Sequence, residues 1–327
     1  MTNPLSIVMA TYNGMPYICE QIKSIQAQSL THWRLLVRDD GSTDGTVEAV
    51  AHFASGDPRI ILLASDVGTR LGPGLNFNAA LGEALSTDSD LFFLSDQDDV
   101  WDPNKLSVQS QHFPKGGTED TPLLIHSDLM VVDEDLNPMH DSLVRYMGLS
   151  PNPAVPLNYL LTRNFVTGCA TACNRRLIEE ALPLSDRAIM HDWWLALTAA
   201  ATGQIEHLQL RLVKYRQHGS NSLGVKGFWH GLNPTNNWVA GWKRGNAEYL
   251  ATLNQVSAFT DHGKQKAHWP SDSIALLEQY LGLGTLPPYR RLKTAKQLRL
   301  RQGNRLLQLI FYIRLLTVRN RMPASRS

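Results

Sequence analysis

Residues 5–14 read LSIVMATYNG. Leu5–Thr11 is a run of apolar and small side chains, the pattern of a strand buried on both faces. It ends in the polar group Thr11-Tyr12-Asn13-Gly14. Ile18, Ile22 and Ile25 then recur at helical spacing, and Pro16 suits the opening of that helix, where its missing N–H costs nothing. The alternation continues through residue 94. Strands are expected at Trp33–Arg38, Arg59–Ala64 and Leu91–Leu94, and helices at Thr46–Ala54 and Asn76–Leu85. Strands alternating with helices imply a mostly parallel sheet flanked by helices.

Further along, Pro103 opens a helix that Asp102 would cap, Leu123–His126 and Phe165–Cys173 read as strands, His191–Thr202 as a helix and Leu208–Tyr215 as a strand. Composition changes near Leu223, which places a boundary at about residue 225: an α/β domain over 1–225 and a mainly helical region over 226–327. The length of 327 residues agrees with two domains at about 150 residues each.

In an open parallel sheet, ligands bind beyond the carboxyl ends of the strands. Those ends read Thr11-Tyr12-Asn13, Asp39-Asp40-Gly41 and Ser95-Asp96-Gln97-Asp98-Asp99. Asp-Gly and Asn-Gly pairs also form ordinary turns, so the first two segments admit either reading. The third is sharper. Three carboxylates follow an apolar strand with no Lys or Arg beside them. Close carboxylates repel, and a hard divalent cation that also takes phosphate oxygens relieves the repulsion. No G-x-G-x-x-G follows the first strand and no Walker lysine is present, which argues against a nicotinamide dehydrogenase and a P-loop enzyme.

Five ordered segments resemble the family 2 glycosyltransferases of the GT-A fold: SIVMATYNG (6–14), RDDGST (38–43), FLSDQDDVW (93–101), MHDWW (190–194) and YRQHGSN (215–221). The last three look most like the bacterial rhamnosyltransferase branch. The resemblance implies a Rossmann-like GT-A domain with a helical C-terminal region. It implies that Thr11, Tyr12 and Asn13 line the nucleotide site, that Asp40 accepts from the pyrimidine N3–H, and that Asp96, with Gln97 beside it, touches the donor. Asp98 would hold Mg²⁺ or Mn²⁺ against the diphosphate, His218 would be an additional metal ligand, and Asp192 the catalytic base. The Gly-rich segment TRLGPG (69–74) is longer than the family's usual form. The implied reaction is inverting transfer of rhamnose from dTDP-rhamnose, with a UDP-hexose as the alternative donor, to a polysaccharide or lipid-linked glycan. The chemistry agrees: a metal ion neutralises charge on the leaving diphosphate, and one carboxylate on the opposite face takes the acceptor proton. Asp192 could instead be a helix cap. Trp193-Trp194 beside it would suit either core packing or a sugar face. His126, His191 and Arg216 are ambiguous, and a His near a strand or helix end is more often a satisfied structural one, so no role is assigned to them. A non-catalytic sugar-binding protein is the remaining alternative.

The formal charge is +1, but its distribution is uneven. Residues 279–327 hold eleven Lys and Arg and no acid, leaving the first 278 residues with twenty cations against thirty acids. Within 290–321, apolar residues such as Leu306, Leu309, Ile310 and Ile313 follow helical spacing. Such a helix packs on its own domain, on a second subunit, or on anionic lipid. Nucleic acid is not expected, because no stacking platform or recognition helix is evident. Cys19, Cys169 and Cys173 are too few and odd in number for a disulfide framework, and no second pair joins Cys169 and Cys173 as metal ligands. The first apolar run is too short for a signal peptide and no run reaches 18 residues, so the expected location is the cytoplasm, with the inner face of the membrane as the alternative that a lipid-docked tail helix would give.

Overall fold

The computed structural model describes residues 3–64, 70–114, 120–150, 154–219 and 238–318. Among these residues nine strands form one sheet: β1 (Leu5–Thr11), β2 (Trp33–Asp39), β3 (Ile60–Leu62), β4 (Leu91–Ser95), β5 (Val100–Trp101), β6 (Leu123–Val132), β7 (Pro138–His140), β8 (Thr171–Asn174) and β9 (Gln204–Arg216). Their order is β3-β2-β1-β4-β8-β6-β9-β5, with β7 paired to β6. β1 runs parallel to both β2 and β4, with Thr11 opposite Asp39 and Met9 opposite Ser95. That register brings the three polar strand ends to one edge.

Both faces of the sheet are covered, as the continuous apolar strands require. Ile7, Met9, Leu35, Val37 and Phe93 point to one face, against Ile18, Ile22, Ile25 and Val50. Val8, Leu36, Phe92 and Leu94 point to the other, against the helices Pro73–Leu85 and His191–Thr202. Tyr249, Phe259, Leu277, Phe311 and Leu315 join that second cluster. The C-terminal helices Trp238–Lys264, Ser271–Gly282, Pro288–Gln297 and Arg305–Thr317 therefore complete the core on that face of the sheet. The expected boundary near residue 225 lies outside the described residues.

Several expectations need correction. The sheet is mixed: β8 is antiparallel to both β4 and β6, and β5 and β7 also pair antiparallel. Among the described residues, the α-helices between β7 and β8, where a crossover helix would be needed, are the five-residue Leu143–Met147 and Pro156–Leu160. Phe165–Cys173 is not one strand: a 3-10 turn over Gly168–Ala170 precedes β8. Pro16 sits in a turn ahead of the helix Ile18–Gln26, and the third helix starts at Pro73. Asn104, not Asp102, is the N-cap residue of Lys105–Ser110; the Asp102 carboxylate accepts the Asn104 N–H in the preceding turn. Among the described residues no helix is long and apolar enough to cross a membrane.

Candidate active site

The ends of β1 and β2 lock to each other. Thr11 Oγ1 donates to Asp39 Oδ2 at 2.8 Å, and Asp39 Oδ1 accepts the Gly41 and Ser42 N–H groups. Gly41 has φ +88, a conformation that glycine adopts without a Cβ clash. Asn13 donates its N–H to Ser42 Oγ and accepts from the Thr43 N–H. Asp39 thus forms the turn, and Asp40 is left facing the cleft. Both Asp40 oxygens accept backbone N–H groups of the Gly-rich loop, from Leu71 and Gly72, at 2.8 Å each. Thr69 lies outside the described residues. Arg70 lays its guanidinium over the Tyr12 ring, 3.7 Å from the centroid.

Gln97 ties β1 to the loop after β4. Its Oε1 accepts the Tyr12 N–H at 2.8 Å and its Nε2 donates to the Tyr12 carbonyl at 3.0 Å. A Cβ at Gly14 would come within 2.7 Å of that Oε1. Gln97→Ala removes both bonds and is expected to cost about 1–3 kcal/mol. A melting curve should show a drop of a few degrees; an unchanged midpoint would mean that the pairing does not hold the two strand ends together.

The Asp98 Oδ2 lies 2.8 Å from His218 Nε2. Arg216, at the end of β9, fixes the loop that carries Asp98. Its Nε donates to the Asp98 carbonyl at 2.8 Å, its backbone N–H to Asp99 Oδ1 at 3.0 Å, and its guanidinium also reaches the Glu134 carbonyl and the Glu20 carboxylate. Burial, reinforced by the charges of Asp98 and then Asp192, pushes the Asp96 carboxyl above the usual carboxylate range. Burial, with Asp98 and Asp96 behind it, also pushes the buried Asp99 carboxyl well above that range. This is the electrostatics of a cluster short of positive charge, and a divalent ion fits it. Asp96, Asp99 and Cys169 also offer ligand atoms within 4.8 Å of one another. Burial raises the Cys169 thiol, however, and a neutral thiol is a poor ligand for Mg²⁺ or Mn²⁺. The side of the cluster that fits such an ion is the open one, with Asp98 and His218.

Asp192 lies in the first turn of the helix His191–Thr202, but Met190 is the N-cap residue. Its Oδ1 accepts from Asn164 Nδ2 at 3.2 Å and from the Trp193 N–H at 2.6 Å, and its Oδ2 accepts the Gly168 N–H at 3.1 Å. Burial pushes its carboxyl up to about 6 against these hydrogen bonds. The sugar-face reading of the tryptophans is overturned. Trp194 is fully buried with Nε1 on the Ala181 carbonyl, and Trp193 packs against the core with Nε1 on the Leu160 carbonyl.

One cleft of about 700 Å³ brings together Thr11, Tyr12, Asn13, Asp40, Asp96, Gln97, Asp98, Asp192 and His218. Sequence reasoning missed Asn164 and Gly168, which orient Asp192. It left His191 and Arg216 undecided. Arg216 positions the acidic loop. His191 lines the cleft, stacks on Phe77 at 3.7 Å, and has both ring nitrogens buried without partners. His126 packs beside Phe165 and His207, away from the cleft lining.

Comparison with known proteins bears on this cleft. The sequence profile of Glycosyl transferase family 2 matches residues 6–181. An uncharacterized protein of Mycobacterium bovis is 27% identical over 78% of this chain and 73% of its own length. The dTDP-rhamnosyl transferase RfbG of Shigella flexneri is 37% identical over a shorter stretch, 30% of this chain and 34% of that one. Among solved structures, S. aureus TarS 1-349 in complex with UDP-GlcNAc has a TM-score of 0.52 at 17% identity, covering 90% of this chain and 89% of that chain.

Proposed function

The chain belongs to glycosyltransferase family 2, and from that premise we propose that it transfers rhamnose from dTDP-rhamnose, with inversion, to a cell-surface polysaccharide or lipid-linked glycan at the inner face of the membrane. The observation that carries the reading is that a buried carboxylate of raised pKa, Asp192, shares one cleft with the Asp98–His218 pair. The partial match to RfbG supports rhamnose as the sugar. A UDP-hexose is the second reading, since uracil and thymine present the same N3–H to Asp40.

Asp98 and His218 would hold the divalent ion, with Asp96 beside them. Bound there, Mg²⁺ or Mn²⁺ supplies positive charge to the departing diphosphate. Tyr12, Asn13 and Asp40 form the floor on which the base and ribose rest. Gly168 and Asn164 aim Asp192 at the acceptor hydroxyl, whose proton it takes as the oxygen attacks the anomeric carbon. Thermal-shift measurement against dTDP-rhamnose, UDP-glucose and UDP-GlcNAc, with and without Mn²⁺, tests the donor. A ligand bound by the folded state alone raises the midpoint. The largest shift is expected with dTDP-rhamnose plus Mn²⁺, and a larger shift with a UDP-sugar overturns the rhamnose assignment.

A further inference from the structure

A second pocket, also of about 700 Å³, lies between Ser150, Ala154, Val155 and Tyr159 on one side and the C-terminal helices on the other. Lys296, Arg299, Arg301 and Arg305 line it, all four exposed. The chain has no acidic residue after Glu278, and among the described residues none of the four is in an ion pair. Four cations around one hollow repel one another as the carboxylates of the catalytic loop do, and an anion relieves the repulsion.

The pocket is fixed to the catalytic domain. Asn158 Nδ2 donates to the Leu298 carbonyl at 2.6 Å, Gln302 Nε2 to the Thr162 carbonyl at 3.1 Å, and Arg163 to the Gln302 carbonyl at 3.4 Å. It also adjoins the catalytic cleft: Leu149 lines the cleft and Ser150 lines the pocket.

The helix Arg305–Thr317 starts at the pocket's rim and has two apolar faces. Phe311 and Leu315 are buried in the core. Leu306, Leu309 and Ile313, spaced along another side, are 37%, 55% and 40% exposed. An exposed apolar stripe beside a cationic pocket matches the two layers of an anionic membrane surface, phosphate outside and hydrocarbon inside. A soluble phosphate would use the pocket and leave the stripe without a role.

We propose that this pocket binds the phosphate of an anionic lipid headgroup while Leu306, Leu309 and Ile313 enter the acyl layer beside it. The inference rests on the membrane-surface part of the proposed function and adds a defined headgroup site next to the cleft.

The test uses the full chain and vesicles of phosphatidylcholine, alone or mixed with phosphatidylglycerol. Wild type is expected to sediment with the mixed vesicles only, and less so as salt rises. Arg301→Glu/Arg305→Glu should lower partitioning at least about 25-fold, since each cation near such a surface contributes about fivefold (about 1 kcal/mol). Both side chains are exposed, and an acidic residue at 305 suits the helix N-terminus there, so this variant keeps its fold. Leu309→Ser/Ile313→Ser should lower partitioning by about tenfold or more. Wild type that ignores mixed vesicles overturns the membrane reading and the headgroup site together. Binding that survives the charge reversal overturns the headgroup site alone. Binding to inorganic phosphate or to RNA without vesicle binding overturns the lipid assignment. Donor-induced thermal shifts in all three proteins report on the glycosyltransferase reading separately.

Discussion

Asp192→Asn is expected to bind donor as tightly as wild type and to lose transfer by about 10²–10⁴-fold, the usual effect of removing a general base. Asparagine keeps the size of the side chain, and its carbonyl can still accept from Asn164 and the Trp193 N–H. It loses the bond from the Gly168 N–H, at about 1–3 kcal/mol. Against that, holding Asp192 ionised in the fold costs about 3 kcal/mol, from its rise from 3.8 to about 6. The variant should therefore melt no lower than wild type, which separates chemistry from folding. The same shift sets two pH dependences. The folded-state pKa lies above the unfolded one, so the native state holds the extra proton between about pH 4 and 6, and this residue's contribution to stability falls as pH rises through that window. Activity runs the other way: kcat/KM should climb through about pH 6 as the base ionises. Calorimetry with donor, together with a pH–rate profile on both proteins, checks each part. Turnover near wild type would move the base elsewhere.

Asp98→Asn is expected to abolish the Mn²⁺-dependent part of donor binding, a loss of about 100-fold or more. Groups that merely orient a metal ligand are worth about 10–100-fold, so a ligand itself sets a higher floor. Asparagine can still hydrogen-bond His218 but no longer offers a counter-charge to a divalent ion. Without that charge, one source of the upward push on Asp96 and Asp99 also disappears, so the variant should be at least as stable as wild type without metal. Donor titration with and without Mn²⁺ reads the effect. If the Mn²⁺ dependence is unchanged, the ion is held by other groups.

Much of this site was legible in the sequence, for a physical reason. Strands buried on both faces are nearly all apolar, so a polar group at their ends stands out, and parallel neighbours bring those ends together. Thr11–Asn13, Asp40 and Asp96–Asp98 were readable on that basis, and Asp192 and His218 came with the family resemblance. The supporting groups were not readable. Gly168 acts through its backbone N–H, which any residue possesses, and Arg216 reaches the acidic loop across more than a hundred residues. The strand expected over Phe165–Cys173 failed because an apolar run does not distinguish a strand from a buried 3-10 turn. The tail helix was readable as apolar and cationic. That Phe311 and Leu315 enter the core while Leu309 and Ile313 do not depends on tertiary packing.

The central claim is that Asp98 and Asp192 serve the two ends of one displacement in one cleft, diphosphate departure and acceptor deprotonation. Release of nucleoside diphosphate from dTDP-rhamnose, measured with acceptor glycan for wild type, Asp98→Asn and Asp192→Asn, tests it most directly. The account predicts release by wild type that stops on chelation of the metal, little release by either variant, and donor still bound by Asp192→Asn alone in the presence of Mn²⁺. Release by Asp192→Asn at the wild-type rate, or wild-type release indifferent to chelation, would contradict it.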